Sequence, residues 1–442
     1  MALDEGFRAV GHGELGAVQL LGAHVTGPMV LSGAELTNNT GLALGGDGLR
    51  VDGGLFLQGL RAVGRGELGA VRLPGARITG PLSLQGAELT DNTGPALNGD
   101  RLRVHGDLAL DEGFRAVGHG ELGAVRLLSA HITGQLSLRG AELTNNTGPA
   151  LNGDGLRVDG DLLLSKGFRA AGYGEDGAVR LVGARITGHL DLSGAELTNQ
   201  DGPVFDLEDA EAKTIFLPPE AICPQGVTGR STCDAAARYV ELSGFVYTSL
   251  EGSDWSQWLH LIARHASGYQ PQPYQQLAAV RRAAGHDADA RKILIAQQED
   301  LQERGEFGGW LARTVHCAWG ALGGYGYRTG RIALTLLIVL LAAAGLGIAA
   351  GHIPTGPGRY VAMHTAQADD PHGPCSLAEQ IGVGIDRGLP LGTTGIRSRC
   401  DFDTTSRRGQ AVTWATWVLQ FLVWALATLF VAGYVSLIRK AT

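Results

Sequence analysis

Gly123 to Asp176 reads GAVRLLSAHITGQLSLRGAELTNNTGPALNGDGLRVDGDLLLSKGFRAAGYGED. The stretch recurs. The glycines before Glu14, Glu67, Glu121 and Glu175 are Gly13, Gly66, Gly120 and Gly174, so the copies start at intervals of 53, 54 and 54 residues. A fixed period of this size is the signature of a solenoid, in which each unit buries its apolar face against the next. Each period divides again. AVRLLSAHITGQLSLRGAEL and PALNGDGLRVDGDLLLSKGFRA share one rhythm of alternating apolar positions broken by Gly. In the second copy the apolar positions are Val71, Leu73, Ala76, Ile78, Leu82, Leu84, Ala87 and Leu89.

Period-2 runs this short, with Gly at each corner, do not suit the long strands of a sandwich. They suit a parallel β-helix whose coil is half the repeat, about 25–29 residues. Leu, Val, Ile and Ala fill the lumen, and Arg, Glu, Asp and Thr face water. Eight coils at a strand spacing of roughly 4.8 Å make a rod of about 40 Å. The fold class expected is an all-β parallel β-helix solenoid, then a small α-helical region and two transmembrane helices.

Composition bounds the rest. The chain has 442 residues and a formal net charge of −8, with no global basic signature for nucleic acid. Five cysteines stand without C-x-x-C spacing, so neither a zinc site nor a dense disulfide framework is indicated. The opening MALDEGFRAV has no apolar core of the kind a signal peptide needs.

Residues 1–217 read as the repeat domain. Leu3–Val18 reappears residue for residue at Leu110–Val125, which points to duplication of a double unit. The chain begins inside a repeat; either the first coil offers an open edge to another chain, or its start is incomplete or frayed. The rhythm decays at Gly202–Leu217, and residues 218–252 read as a closing coil ending in Tyr239–Leu250. Residues 253–305 turn helical. Trp255, Trp258, Leu259 and Ile262 share one face, Tyr269–Tyr274 reads as a linker with Pro273 opening the next helix, and Gly285 ends it. Asp287 or Asp289 then caps a third helix. The pair resembles a single TPR-type hairpin, too small to cover its own apolar face, so it needs the solenoid end or a neighbouring helix.

Residues 306–328 carry Trp310, Trp319, Tyr325 and Tyr327 beside arginines, an approach to a membrane surface. Residues 329–353 and 412–438 read as transmembrane helices separated by a loop, 354–411. Arg328 and Arg331 precede the first span, and Arg439 and Lys440 follow the second. The positive-inside rule then places both termini, including the tail 439–442, in the cytoplasm of a multi-pass plasma-membrane protein. Cys375 and Cys400 are the disulfide pair that an extracytoplasmic loop would allow. Cys223, Cys233 and Cys317 read as free thiols. Ala343, Gly347 and Gly351 form a small-residue stripe suited to packing on the second span or another protomer, and Gln420 is suited to bonding across helices.

Several motifs invite chemistry. G-x-G-x-x-G occurs at Gly11–Gly16, Gly64–Gly69, Gly118–Gly123 and Gly172–Gly177, but strand-patterned sequence follows it where a dinucleotide site needs a helix. It reads as a coil corner. Asp47, Asp100 and Asp154 share a column, as do Asp52 and Asp159 with His105 between them; their NGDG and GGDG settings read as turns. Asn38–Asn39, Asn92, Asn145–Asn146 and Asn199 read as a corner ladder. His24 and His131 take the column of Arg77 and Arg185, so they read as solvated and not as metal ligands. Glu67, Glu121 and Glu175, with Arg72, Arg126 and Arg180, offer repeated charge to a partner. Ile381–Gly395 is Gly-rich but lacks a TVGYG filter. No catalytic residue, cofactor or metal site is read.

Two resemblances accompany this reading. The GAEL units at Gly33–Leu36, Gly86–Leu89, Gly140–Leu143 and Gly194–Leu197 resemble the A(D/N)LxG unit of pentapeptide-repeat proteins. Nearly the whole chain resembles actinobacterial membrane proteins often labelled "membrane-associated oxidoreductase". The matching parts are the GARITG-type repeats, Tyr269–Ala278 (YQPQPYQQLA), Gly285–Leu294 (GHDADARKIL) and Trp424–Lys440 (WALATLFVAGYVSLIRK). That resemblance implies a bacterial membrane architecture and, through its label, redox activity. The residues themselves favour a membrane-anchored scaffold at the cytoplasmic face, its partners the lipid bilayer and a protein on the solenoid flank, with homo-oligomerisation open and no nucleic acid. A redox enzyme and an oligomeric two-span channel are the alternatives.

Overall fold

The computed structural model describes residues 6–91, 93–218, 239–252, 254–304, 309–325, 329–365, 373–389 and 395–439. Asn92, Cys223, Cys233 and part of Ile381–Gly395 lie outside them. The chain divides into two units, Met1–Asp300 and Leu301–Thr442.

The first unit is a parallel β-solenoid closed by helices. Each full coil lays down four short strands. One column runs from Arg8–Gly11 to Glu196–Asn199 and a second from Val18–Gln19 to Val240–Glu241. Two further columns start at His24–Val25 and Met29–Val30 and merge in the seven-residue strand Arg185–Asp191. Every pairing in these columns is parallel. Val18 pairs with Leu44, Leu44 with Val71 and Leu97 with Val125, so one coil takes 26 to 28 residues.

The doubled period has a packing cause. Along one inward column, Ala34, Leu60, Ala87, Phe114, Ala141, Phe168 and Ala195 alternate small and large on successive coils, and none is more than 5% exposed. At another corner, Leu73 with Ala76 alternates with Gly99 and Leu102. A Cβ on Gly46, Gly99 or Gly153 would come within 2.8, 2.9 and 2.8 Å of a Leu Cδ2 on the next coil. Large side chains thus fill the space that small ones leave one rung away, keeping the lumen at interior density. Each buried Leu or Phe contributes about 1.5–3 kcal/mol.

The last coil, Val240–Glu241 and Val246–Glu251, carries Phe245 and Tyr247 in the lumen. Three helices follow: α1 (Trp255–His265), α2 (Pro271–Ala283) and α3 (Asp287–Arg304). Asp254 and Gln257 form a capping box for α1. Helix α2 begins at Pro271, two residues earlier than Pro273 suggested. The first turn of a helix has no intrahelical acceptors for its N–H groups, so it tolerates both prolines. Asp287 and Asp289 lie inside the first turn of α3, where they favour the positive end of the helix dipole. Helices α1 and α2 cover the solenoid end. Trp258 meets Tyr247 edge-on at 5.7 Å, Gln272 donates to the Phe245 carbonyl, and Ser267 and Gln270 donate to Glu241.

The second unit holds α4 (Gly309–Gly323), α5 (Thr329–His352), α6 (Leu377–Gly388), α7 (Ile396–Arg399) and α8 (Arg407–Arg439). Residues 330–352 and 407–432 are long and apolar enough to cross a membrane. Leu334, Leu337, Ile338, Leu341, Val418 and Phe421 point their side chains outward from these helices. The described part of the segment between the spans is folded. Cys375 and Cys400 are joined by a disulfide with Cα atoms 6.0 Å apart, and both are buried among Ala350, Val361, Val383, Phe402 and Val412.

The stripe Ala343, Gly347 and Gly351, expected to pack on the second span or another protomer, is covered in this chain by α6. A Cβ on Gly347 would collide with the Gln380 carbonyl oxygen, and one on Gly384 with the Ala343 carbonyl oxygen. Small residues on both helices let the backbones touch. Gln420 is half-buried and makes no side-chain hydrogen bond among the described residues.

Candidate functional site

Three outward ladders on the solenoid carry arginine, and they differ in how that charge is neutralised; a separate column, Glu14, Glu67, Glu121 and Glu175, is exposed and acidic. The first alternates along one column: Arg8 pairs with Glu35, Arg61 with Glu88, Arg115 with Glu142, and Arg169 with both Glu142 and Glu196. Each is exposed, and exposed pairs contribute little; the ladder mainly cancels its own field.

The second ladder is half-buried. Arg72 bonds Asp47, Arg126 bonds Asp100 and Arg180 bonds Asp154, at 2.8, 2.5 and 2.9 Å. Burial pushes the Asp100 and Asp154 carboxyls upward, and the arginines oppose the shift. These arginines are therefore spent on their own chain. The repeated charge read from Arg72, Arg126 and Arg180 is not free for a partner, because each side chain lies back over a corner and reaches the carboxylate of the preceding coil. Asp47, Asp100 and Asp154 are corner residues in that arrangement, not a convergent carboxylate site.

The third ladder is different. Register places His24, Arg50, Arg77, Arg103, His131, Arg157 and Arg185 on consecutive rungs of one outward column. Among the described residues none of its five arginines forms a salt bridge. His24 and His131 do have partners: their Nε2 atoms lie 2.8 and 2.9 Å from Asp52 and Asp159. The unpaired arginines thus run from Arg50 to Arg185, about 24 Å or five steps at the strand spacing, and Glu211 takes the next rung.

A cavity of about 400 Å³ opens on this ladder, lined by Arg103, Val104, His105, Ser129, Ala130, His131, Thr133, Gly155 and Arg157. The cause is local. His131 is shorter than the arginines on either side and folds onto Asp159, which leaves a gap between Arg103 and Arg157. Three more departures from the repeat cluster there. His105 stands where Thr79 and Thr133 stand on neighbouring coils. Arg101 and Ser129 stand at a corner that Gly22, Gly48, Gly75, Gly155 and Gly183 occupy on other coils, and Asp209 on a later one. All of these residues have φ between 53 and 64°, the left-handed region that glycine enters without strain and other residues do not. Two side chains are held there against that preference on consecutive rungs.

The cavity was not legible by asking which columns were polar. Column by column, His131 reads as solvated and His105 as part of a turn. The signal available in the sequence was the coincidence of four breaks in the repeat, at Arg101, His105, Ser129 and His131, within 31 residues.

The remaining sequence candidates take structural places. Gly11, Gly64, Gly118 and Gly172 end strands, Gly16, Gly69, Gly123 and Gly177 have positive φ, and a strand follows each, so the G-x-G-x-x-G copies are corners. The Asn ladder is real, with a changed member. It runs through Asn38, Asp91, Asn145 and Asn199, because register aligns Asp91, not Asn92, with the others. Asn38 Nδ2 donates to the Gly13 and Leu42 carbonyls, and its Oδ1 accepts from the Thr40 and Gly41 N–H groups. No cluster of three metal-ligating side chains occurs among the described residues.

In the second unit Ser376, Glu379 and His364 lie together. Ser376 Oγ donates to Glu379 at 2.8 Å, and His364 Nε2 is 3.0 Å from the same carboxylate. His364 and the Ser376 groups hold the Glu379 carboxyl down to about 2. The serine caps α6 and bonds the carboxylate, not the imidazole, so the set lacks the base that would activate a nucleophile. Cys317 is exposed as a free thiol.

No known protein family, curated protein or solved structure matches the chain.

Proposed function

We propose that the protein is a membrane-anchored scaffold that docks a protein partner on the flank of its solenoid, at the inner face of the membrane. One observation carries the reading: two of the three arginine-bearing ladders are neutralised within the chain, and the arginines of the third are left unpaired. Stability gives no reason for that asymmetry, since stacked like charges repel. A surface kept charged at an energetic disadvantage suits recognition. The apolar helices 330–352 and 407–432 supply the anchor. Arg328 and Arg331 at the start of the first span, with Arg439 and Lys440 after the second, supply the positive charge that a cytoplasmic solenoid needs by the positive-inside rule; Arg397, Arg399, Arg407 and Arg408 lie on the other side.

The test is photo-crosslinking in cells. A photoreactive residue placed at Thr79 or Thr187, beside the positive ladder, is expected to capture a foreign protein, and the same residue at Thr37, on the neutralised ladder, is not. Crosslinks confined to further copies of this chain would overturn the reading in favour of a homo-oligomer.

A further inference from the structure

The geometry points to a phosphate-monoester site in the cavity between Arg103 and Arg157, which receives a phosphorylated side chain on an extended acidic segment of the docked protein. The inference rests on the docking reading above and names what that flank recognises.

The site is defined by donors. Arg103 and Arg157 lie two rungs apart, about 10 Å between backbones at the strand spacing, on either side of the shorter His131. Long arginine side chains reach an anion seated over that gap from both sides, and planar guanidinium forks match phosphate oxygens with paired hydrogen bonds. Ser129 and Thr133 bring hydroxyls to the same lining, and His105 brings a ring nitrogen. The lining contains no carboxylate. Asp159 stands next to it but faces His131. A carboxylate has two oxygens for such a set; a phosphate monoester has three terminal oxygens and up to two charges. The many convergent donors therefore favour phosphate.

The shape argues for a segment of chain over a small molecule. The cavity is open, and the positive ladder continues beyond it to Arg50 and Arg77 on one side and to Arg185 on the other. An extended ligand along the solenoid axis meets these arginines with flanking acidic side chains. The face carries no exposed aromatic ring in these columns, which removes the stacking platform that single-stranded nucleic acid uses.

The experiment uses the full chain in phosphatidylcholine nanodiscs. A fluorescent acidic peptide with one central phosphoserine is compared by anisotropy with its serine counterpart, and inorganic phosphate serves as competitor. The phosphopeptide is expected to bind at least tenfold more tightly than the serine form, with phosphate competing at much higher concentration. Arg103→Gln and Arg157→Gln are each expected to weaken it at least tenfold, and Arg77→Gln, outside the cavity, only two- to threefold. His131→Arg is the discriminating variant. It restores the residue type of the adjacent rungs, so it folds into the ladder, and it adds positive charge while filling the gap. It is expected to weaken the phosphopeptide tenfold. A gain in affinity would show that charge alone is read and would overturn the site. Equal binding of both peptides would overturn it too, while a crosslinked partner at Thr79 would leave the docking reading standing. Tight binding of inorganic phosphate with no preference for the peptide would move the site to a small phosphate ester and overturn the peptide source.

Discussion

Asp91 occupies the corner position that Asn145 occupies two coils further on, and the exchange of one atom leaves a carboxylate oxygen stranded. Asn145 Nδ2 donates to the carbonyls of Gly120 and Pro149. Asp91 keeps the other half of the pattern, accepting from the Thr93 and Gly94 N–H groups at 2.8 and 2.7 Å. Its Oδ2 is buried and finds no hydrogen-bond partner among the described residues, at the place where the Asn145 amide donates two hydrogen bonds. Asp91→Asn is expected to stabilise the solenoid by about 1–3 kcal/mol, the usual worth of repairing a buried unsatisfied polar group. A denaturant titration followed by far-ultraviolet circular dichroism measures it. An unchanged or lowered midpoint would show that the corner has another way to satisfy that oxygen.

A second Asp in an Asn column gives a pH dependence. Asp206 continues the outward series Asn98, Arg126, Asn152 and Arg180. Burial pushes its carboxyl up to about 6, opposed by the Glu208 N–H group and by Arg180, which is already committed to Asp154. In the unfolded chain the group titrates near 4. Between those values the folded state holds a proton that the unfolded state has released. Its contribution therefore favours the fold below about pH 4 and is lost as pH rises through about 6. At pH 7.5 the buried charge destabilises by about 1–2 kcal/mol after allowance for solvent screening. Asp206→Asn should raise the unfolding midpoint at pH 7.5 and leave it nearly unchanged at pH 4. A gain of equal size at both pH values would remove the carboxyl's charge as the cause.

These two positions show what the sequence makes legible. The solenoid follows from the spacing of Gly13, Gly66, Gly120 and Gly174, because a repeat has one way to bury a periodic apolar face. The corner role of the G-x-G-x-x-G copies follows from the strand pattern after each. Pairing across coils is harder to read. Whether Arg72 faces a partner or lies back on Asp47 depends on which of several outward columns adjoin, and that is a matter of where corners fall. The cavity beside His131 is harder still, since it depends on the absence of a long side chain. The cover of Ala343, Gly347 and Gly351 by α6 escaped because no period marks a twelve-residue helix within a loop.

That helix contact is open to a direct test. Gly384 on α6 touches the α5 backbone, and a Cβ there would collide with the Ala343 carbonyl oxygen. Gly384→Ala is expected to destabilise the second unit by about 1–3 kcal/mol through overpacking. Gly345, on α5, has nothing within 4 Å of an added Cβ, and Gly345→Ala should be neutral or slightly stabilising. Thermal unfolding in detergent, followed by tryptophan fluorescence, compares the two. Equal behaviour of both variants would mean that α6 does not rest on α5.

The disulfide of the second unit links stability to compartment. Cys375 and Cys400 are 25 residues apart, and closing a loop of that length restricts the unfolded chain by about 3–4 kcal/mol. Cys375→Ala with Cys400→Ala should loosen the segment between the spans and speed its proteolysis, while the α5 and α8 helices remain protected. Thiol mass-tagging reads the bond directly. In a Cys223→Ser, Cys233→Ser background, unreduced protein should take one tag, on the exposed Cys317, and reduced, unfolded protein should take three. Both cysteines of the pair are buried against Val361, Val383 and Phe402, so reductant without denaturant should act slowly. A bond formed in cells requires an oxidising compartment on the side of the membrane that holds this segment. Three tags on protein taken directly from cells would place the segment, against the positive-inside reading, in the reducing cytoplasm.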